Sequence, residues 1–74
     1  MTETEQRDIE RKRIGKMIAE LRAKKGLTQM QLAELSGVGN GHIARVELGR
    51  YSAGIDTLAK LADALGVELT FIAK

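Results

Sequence analysis

From Ile14 onward the apolar residues Ile14, Met17, Ile18 and Leu21 recur at i, i+3, i+4 and i+7, the spacing that lines one face of an α-helix. The pattern predicts a first helix that begins upstream, near Asp8, and ends at Gly26 behind the basic Lys24 and Lys25, as a helix C-terminus favours. The polar residues 2–6 are expected to fray. Thr28 then opens T-x-x-Q with Gln31, a capping box in which hydroxyl and amide each satisfy a backbone N–H at a helix start. A short helix should follow from Gln29 to Ser36, with Leu32 and Ala33 inward and Gly37 as its stop. A third runs from about Asn40 to Leu48 with Ile43 and Val46 inward, closed by Gly49. A fourth runs from Ile55 to Leu65, with Ile55, Leu58, Leu61, Ala62 and Leu65 on one face and Gly66 at its end.

After Gly66 the period changes. Val67, Leu69 and Phe71 alternate with Glu68 and Thr70, a strand pattern. No second strand pattern occurs in the chain, and a lone strand leaves its backbone groups unpaired. It therefore calls for a partner outside the protomer. The expected architecture is all-α: a polar, partly helical N-terminal extension over 1–13, a four-helix domain over 14–66, and a short C-terminal β-strand over 67–74 paired across a dimer.

The three glycines of SGVGNGHIARVELGR, Gly37, Gly39 and Gly41, stand where a helix begins, although glycine is the poorest helix former after proline. A phosphate-wrapping glycine loop needs a β-strand before it, and here a capped helix precedes it. A turn fits every flank. Gly37 supplies a positive φ that ends one helix, and Gly39 is an acceptable N-cap for the next. Two helices joined by a short glycine-containing turn form a helix-turn-helix, whose second helix enters the DNA major groove. Gly41 either lets the backbone approach DNA closely or is a tolerated weakness.

Composition narrows the classes further. Seventy-four residues bury a modest core, so a second subunit is the available support. With no cysteine and the single His42, neither a disulfide nor a thiolate or imidazole metal site can be built. No metal or cofactor is expected. No nucleophile, base and orienter can be assembled either, so the chain is not read as an enzyme. No apolar run reaches the roughly 18–20 residues of a membrane span, and the polar start MTETEQRDIERKR is unlike a secretory signal. A cytoplasmic protein with no membrane partner is expected. The net charge is +2, but residues 1–25 hold eight Lys/Arg against five Asp/Glu. Arg11, Lys12 and Arg13 are thus candidates for long-range attraction to a polyanion, or simply a solvated helix face.

The runs "LR..KGLTQ..LA" (Leu21, Arg22, Gly26 to Gln29, Leu32, Ala33), "I..VE.G" (Ile43, Val46, Glu47, Gly49) and "TL..LA.ALGV" (Thr57, Leu58, Leu61, Ala62, Ala64 to Val67) resemble the Cro/repressor-type (Xre) helix-turn-helix family. The resemblance covers roughly Ile14 to Val67. It implies a lambda-repressor-like helical domain that reads double-stranded operator DNA as a two-fold homodimer, hence a transcriptional regulator and repressor. It further implies phosphate contacts from Thr28 and Gln29 at the start of the second helix and from Arg50, Tyr51 and Ser52 after the third. Base-facing positions would be Asn40, Gly41 and Arg45, with His42 beside them. Arg22 and Glu47 match a pair that forms an internal salt bridge in the family.

Asn40 carries chemistry that pairs with adenine, and Arg45 chemistry that pairs with guanine; Gly41 carries none, a departure that narrows the base contacts. On the residues alone, Asn40 is also a favoured helix-start residue, Arg45 a solvated charge, and His42 and Gln29 exposed side chains. Ala53 stands where the family often has proline. The ending ELTFIAK resembles helix-turn-helix antitoxins, in which a C-terminal strand pairs with its copy across the dimer axis. Such pairing here would use Val67, Leu69 and Phe71 as dimerisation residues, the alternative being a frayed tail with Phe71 packed on its own core. The antitoxin resemblance makes an antitoxin with a protein toxin as partner the alternative function.

Overall fold

Four α-helices make up the fold: α1 (Glu3–Lys24), α2 (Gln29–Ser36), α3 (Asn40–Glu47) and α4 (Ile55–Leu65). The structure is a computed structural model and describes residues 1–73. Helix α1 starts five residues earlier than the apolar pattern predicts. Thr2 adopts extended backbone, and its Oγ1 accepts a hydrogen bond from the Glu5 N–H at 3.1 Å, an N-cap of the kind that stabilises a helix start. Glu3 and Glu5 lie beside the positive end of the helix dipole. Along the same exposed stretch Arg7 meets Glu3 at 3.6 Å, Arg13 meets Glu10 at 2.7 Å, and Arg11 pairs with Asp8. These pairs share one helix face three or four residues apart. The first turns are therefore capped and ion-paired, not frayed.

The core draws on every helix and on the turn: Ile18 from α1, Leu32 from α2, Val38 between α2 and α3, Ile43 and Val46 from α3, Leu61 and Leu65 from α4. Ile14, Leu21, Ala33 and Leu58 pack around this cluster. Ile55, placed inward by the periodicity, is instead 75% exposed. It is the first residue of α4, and the stripe that meets the core begins one turn later at Leu58.

Helix α1 packs against α3, while α2 packs against both α3 and α4. The first of these contacts is unusually close at Gly15. A Cβ there would lie 2.2 Å from the Val46 carbonyl oxygen and 2.8 Å from that of Glu47. Only a hydrogen at this position lets α1 meet the backbone at the end of α3.

Helix α4 ends at Gly66, and the Val67 N–H donates to the Ala62 carbonyl at 2.9 Å. The β-strand expected over 67–74 is not formed: among the described residues there is no strand, and Lys74 lies outside them. Alternating side chains fix no strand by themselves, because a ladder needs a second extended segment to exchange hydrogen bonds with. Every long segment of this chain that could serve is helical. Val67, Leu69, Phe71 and Ile72 are exposed. Among the described residues the fold class is thus all-α with four helices, without the C-terminal strand.

Candidate nucleic-acid interface

The turn between α2 and α3 occupies residues 37–39. Gly37 takes φ +78°, and its N–H donates to the Ala33 carbonyl at 2.9 Å, which ends α2 in the left-handed conformation glycine accepts most readily. Val38 is buried, and its N–H donates to Ser36 Oγ at 3.1 Å. Gly39 is the extended N-cap of α3. The turn is thus fastened to the core by Val38, which fixes how α3 leaves α2.

Two of the eight residues of α3, Ile43 and Val46, are buried. Asn40, Gly41 and Arg45 are exposed, and at 100° per residue they fall on one outward face. A Cβ at Gly41 would meet nothing within 4 Å. This face therefore offers one carboxamide, one guanidinium and a bare stretch of backbone between them.

His42 sits at the edge of that face and is half-buried. Its Nε2 is enclosed and has no hydrogen-bond partner among the described residues, so in this geometry that nitrogen cannot touch a nucleotide. The Tyr51 ring lies 4.3 Å from the His42 ring, centroid to centroid, at 59°. The Arg45 guanidinium carbon lies 5.9 Å from the Tyr51 ring centre, within cation–π range. Arg50 and Ser52 are exposed on the same loop. The Arg50 N–H donates to the Arg45 carbonyl at 3.0 Å, so the loop is bonded back onto the last turn of α3.

A second cluster lies at the start of α2. Thr28 and Gln31 form the reciprocal capping box, with Gln31 N–H to Thr28 Oγ1 at 3.0 Å and Thr28 N–H to Gln31 Oε1 at 2.8 Å. Thr28 Oγ1 acts there as acceptor, which leaves its hydroxyl proton to donate outward. Gln29 Nε2 donates to Glu47 Oε1 at 2.9 Å. The carboxylate can only accept, so it draws the NH₂ end of the amide to itself and leaves that group's second proton for another acceptor.

Glu47 is also gripped by Arg22, whose Nε meets Oε2 at 2.7 Å and whose Nη2 meets Oε1 at 3.0 Å, while Nη1 donates to the Leu27 carbonyl at 2.8 Å. Burial pushes the Glu47 carboxyl up, but hydrogen bonds from Arg22 and Gln29 and the guanidinium charge outweigh it. The net effect holds it below the usual carboxylate range. Arg22 is correspondingly raised, chiefly by its hydrogen bond to Glu47.

The geometry thus gathers Asn40, Gly41, Arg45 and Tyr51 at α3, and Arg22, Gln29 and Glu47 at the junction of α1, α2 and α3. Two links are absent from the sequence reading: Glu47 holds Gln29, and Tyr51 touches both His42 and Arg45. The first carries no local signal, since eighteen positions separate the partners. Gly15 leaves only a trace in the sequence: it precedes Ile18 by three and Arg22 by seven, and so falls on the inward face.

The sequence profile described as helix-turn-helix matches residues 18–72. The chain is 36% identical over 59 residues to the immunity repressor protein of Bacillus phage phi105, covering 80% of this chain and 41% of that protein. It is 39% identical over 56 residues to the HTH-type transcriptional regulator PuuR of Escherichia coli, covering 76% of this chain and 30% of that one. The chain therefore spans less than half the length of either relative. Among solved structures it resembles the restriction-modification controller protein C.AhdI from Aeromonas hydrophila, with a TM-score of 0.79 and 37% identity over 81% of this chain and 91% of that one. Together with a glycine turn pinned by Val38 and a polar face on α3, these matches establish that the chain belongs to the Xre-type helix-turn-helix family.

Proposed function

We propose that this chain is a DNA-binding transcriptional regulator, a repressor that occupies a two-fold operator as a homodimer. The observation that carries the reading is the division of α3. Ile43 and Val46 lock it to the core, while Asn40 and Arg45 project from the opposite side beside a glycine that adds no bulk. A helix held this way is a rigid probe for the major groove. Arg45 would pair with guanine and Asn40 with adenine. Thr28, Gln29 and the amides at the start of α2 would take one phosphate, and Arg50 and Ser52 another, fixing register without reading sequence. The repressor and regulator names of the relatives support the same class of function.

A dimer would set two α3 helices about 34 Å apart on successive major grooves, so the operator would be palindromic. Val67, Leu69 and Phe71 are exposed apolar residues suited to an apolar contact between protomers. The antitoxin alternative drew on a C-terminal strand that is not formed among the described residues, and no observation favours it.

The test is selection from a randomised duplex library. The full chain should enrich a palindromic sequence, its affinity for that sequence should survive competitor DNA, and binding should weaken steeply with salt. Enrichment of no sequence contradicts the reading. Sedimentation of wild type and of Leu69→Asp/Phe71→Asp tests the apolar contact, which predicts a dimer for the first and a monomer for the second.

A further inference from the structure

We propose that Tyr51 is a positioning residue for base readout: its ring is the platform that holds the Arg45 guanidinium in place at the end of α3. The inference rests on the DNA-reading function proposed above and goes beyond it. The resemblance places Tyr51 among phosphate contacts, whereas the structure turns its ring toward α3. One side of the relationship is the contact with the His42 ring at 4.3 Å and a 59° tilt. The rings are tilted and in close contact, at a spacing just short of the roughly 4.5–7 Å typical of aromatic pairs. The other is the Arg45 guanidinium carbon 5.9 Å from the ring centre.

The order of support runs inward. His42 is half-buried with an enclosed Nε2, so it is itself held by the body of the protein. Tyr51 leans on His42, and Arg45 lies over Tyr51. The Arg50 N–H to Arg45 carbonyl bond at 3.0 Å ties the backbone beside Tyr51 to the same residue, so the loop that carries the ring is anchored to the end of α3. An exposed arginine otherwise samples many rotamers and must be ordered before it can meet guanine O6 and N7 in a bidentate pair. A π-face that attracts the guanidinium removes part of that penalty ahead of binding. Tyr51 then raises selectivity without touching a base. With Gly41 bare, Arg45 carries much of the discrimination available to α3, so a device that orders it has a large effect on readout.

The experiment compares Tyr51→Phe, which keeps the π-face, with Tyr51→Leu, which keeps apolar bulk and loses it, each in the wild-type and Arg45→Ala backgrounds. Wild type first selects its preferred duplex from a randomised library of about 21 base pairs, two helical turns. Every variant is then titrated with that duplex and with a scrambled duplex of equal composition. Tyr51→Leu should lower the ratio of selected to scrambled affinity about fivefold, with scrambled binding unchanged. Tyr51→Phe should restore the ratio. In the Arg45→Ala background the Leu and Tyr forms should have the same ratio, because a residue that acts through Arg45 has nothing left to act on.

An equal loss in both backgrounds overturns the proposal, as does a Tyr51→Leu ratio matching wild type or a Phe variant that behaves like Leu. A wild-type chain that enriches no sequence overturns the DNA-reading function and this inference with it. One that selects while Tyr51→Leu selects equally well overturns the inference alone.

Discussion

Arg22 and Glu47, 25 residues apart in sequence, form a two-point ion pair with Nε to Oε2 at 2.7 Å and Nη2 to Oε1 at 3.0 Å. The Glu47 side chain is only 6% exposed and that of Arg22 20%, so removing either partner leaves the other charge largely shielded from bulk water. The same guanidinium holds the Leu27 carbonyl, and the same carboxylate holds Gln29. One pair therefore ties α1, the α1–α2 loop, the start of α2 and the end of α3.

Glu47→Ala should destabilise the fold by about 3 kcal/mol, since breaking such a pair leaves an uncompensated charge. For a domain of this size that lowers Tm by roughly 12 °C or more. Arg22→Ala should act similarly, and the double variant should lose less than the two single losses added together. Thermal unfolding followed by circular dichroism checks all three, and an unchanged Tm for Glu47→Ala contradicts the role.

The pair also sets an acid limit. Because the folded state holds the Glu47 carboxyl below its ordinary value, its stabilisation is fully present above the unfolded value of about 4.3 and is lost as pH falls through the lower folded value. Arg22 stays charged throughout this window. Denaturant titrations should show a stability gap between wild type and Glu47→Gln that is constant from neutral pH down to about 5 and closes below about 4.3. A gap that stays open in acid contradicts the assignment.

Gly15 and Gly41 should respond in opposite directions to the same change. Gly15→Ala forces a methyl against two backbone carbonyl oxygens, at 2.2 and 2.8 Å, and backbone cannot step aside as a flexible side chain can. The helix-propensity gain of up to about 1 kcal/mol is outweighed by overpacking of about 1–3 kcal/mol or more, so Tm should fall. Gly41→Ala meets open space and should raise stability by about 0.5 kcal/mol. Parallel melting curves decide; a rise for Gly15→Ala would mean that α1 and α3 can separate without loss.

What could be read from the chain follows the range of the forces involved. The α2 capping box, the stop at Gly37 and the inward Ile43 and Val46 are local or periodic features, and the pattern places them where the structure has them. Thr2 and Glu5 form a related T-x-x-E signature, but with no apolar stripe behind it the sequence pattern reads as a frayed end. The tail shows the opposite failure. Val67, Leu69 and Phe71 alternate as a strand does, yet a strand is a relation between two segments, and one chain supplies only one. At the interface, periodicity places only Ile43 and Val46 inward; Asn40, Gly41 and Arg45 come from the family resemblance, and the structure has all three exposed. Periodicity cannot find Tyr51 beside His42 or Gln29 beside Glu47, because those contacts arise only after α3 has docked.

Arg45 and Arg50 carry the same charge on neighbouring elements, yet they should fail differently. Arg45 is exposed on α3 with its guanidinium over the Tyr51 ring, and the proposed function assigns it a base edge. Arg50 is exposed on the loop beyond, and the proposed function assigns it to the phosphate backbone. Arg45→Ala should therefore weaken binding to the selected duplex by about 1–3 kcal/mol and relax preference at one base pair in each half-site, with less effect on scrambled DNA. Arg50→Ala should weaken both duplexes alike and reduce the slope of log affinity against log salt by about one for each protomer bound. Titrations of both duplexes across a salt series separate the two roles. A uniform loss for Arg45→Ala would move it to the phosphate set and leave Asn40 as the reader of α3.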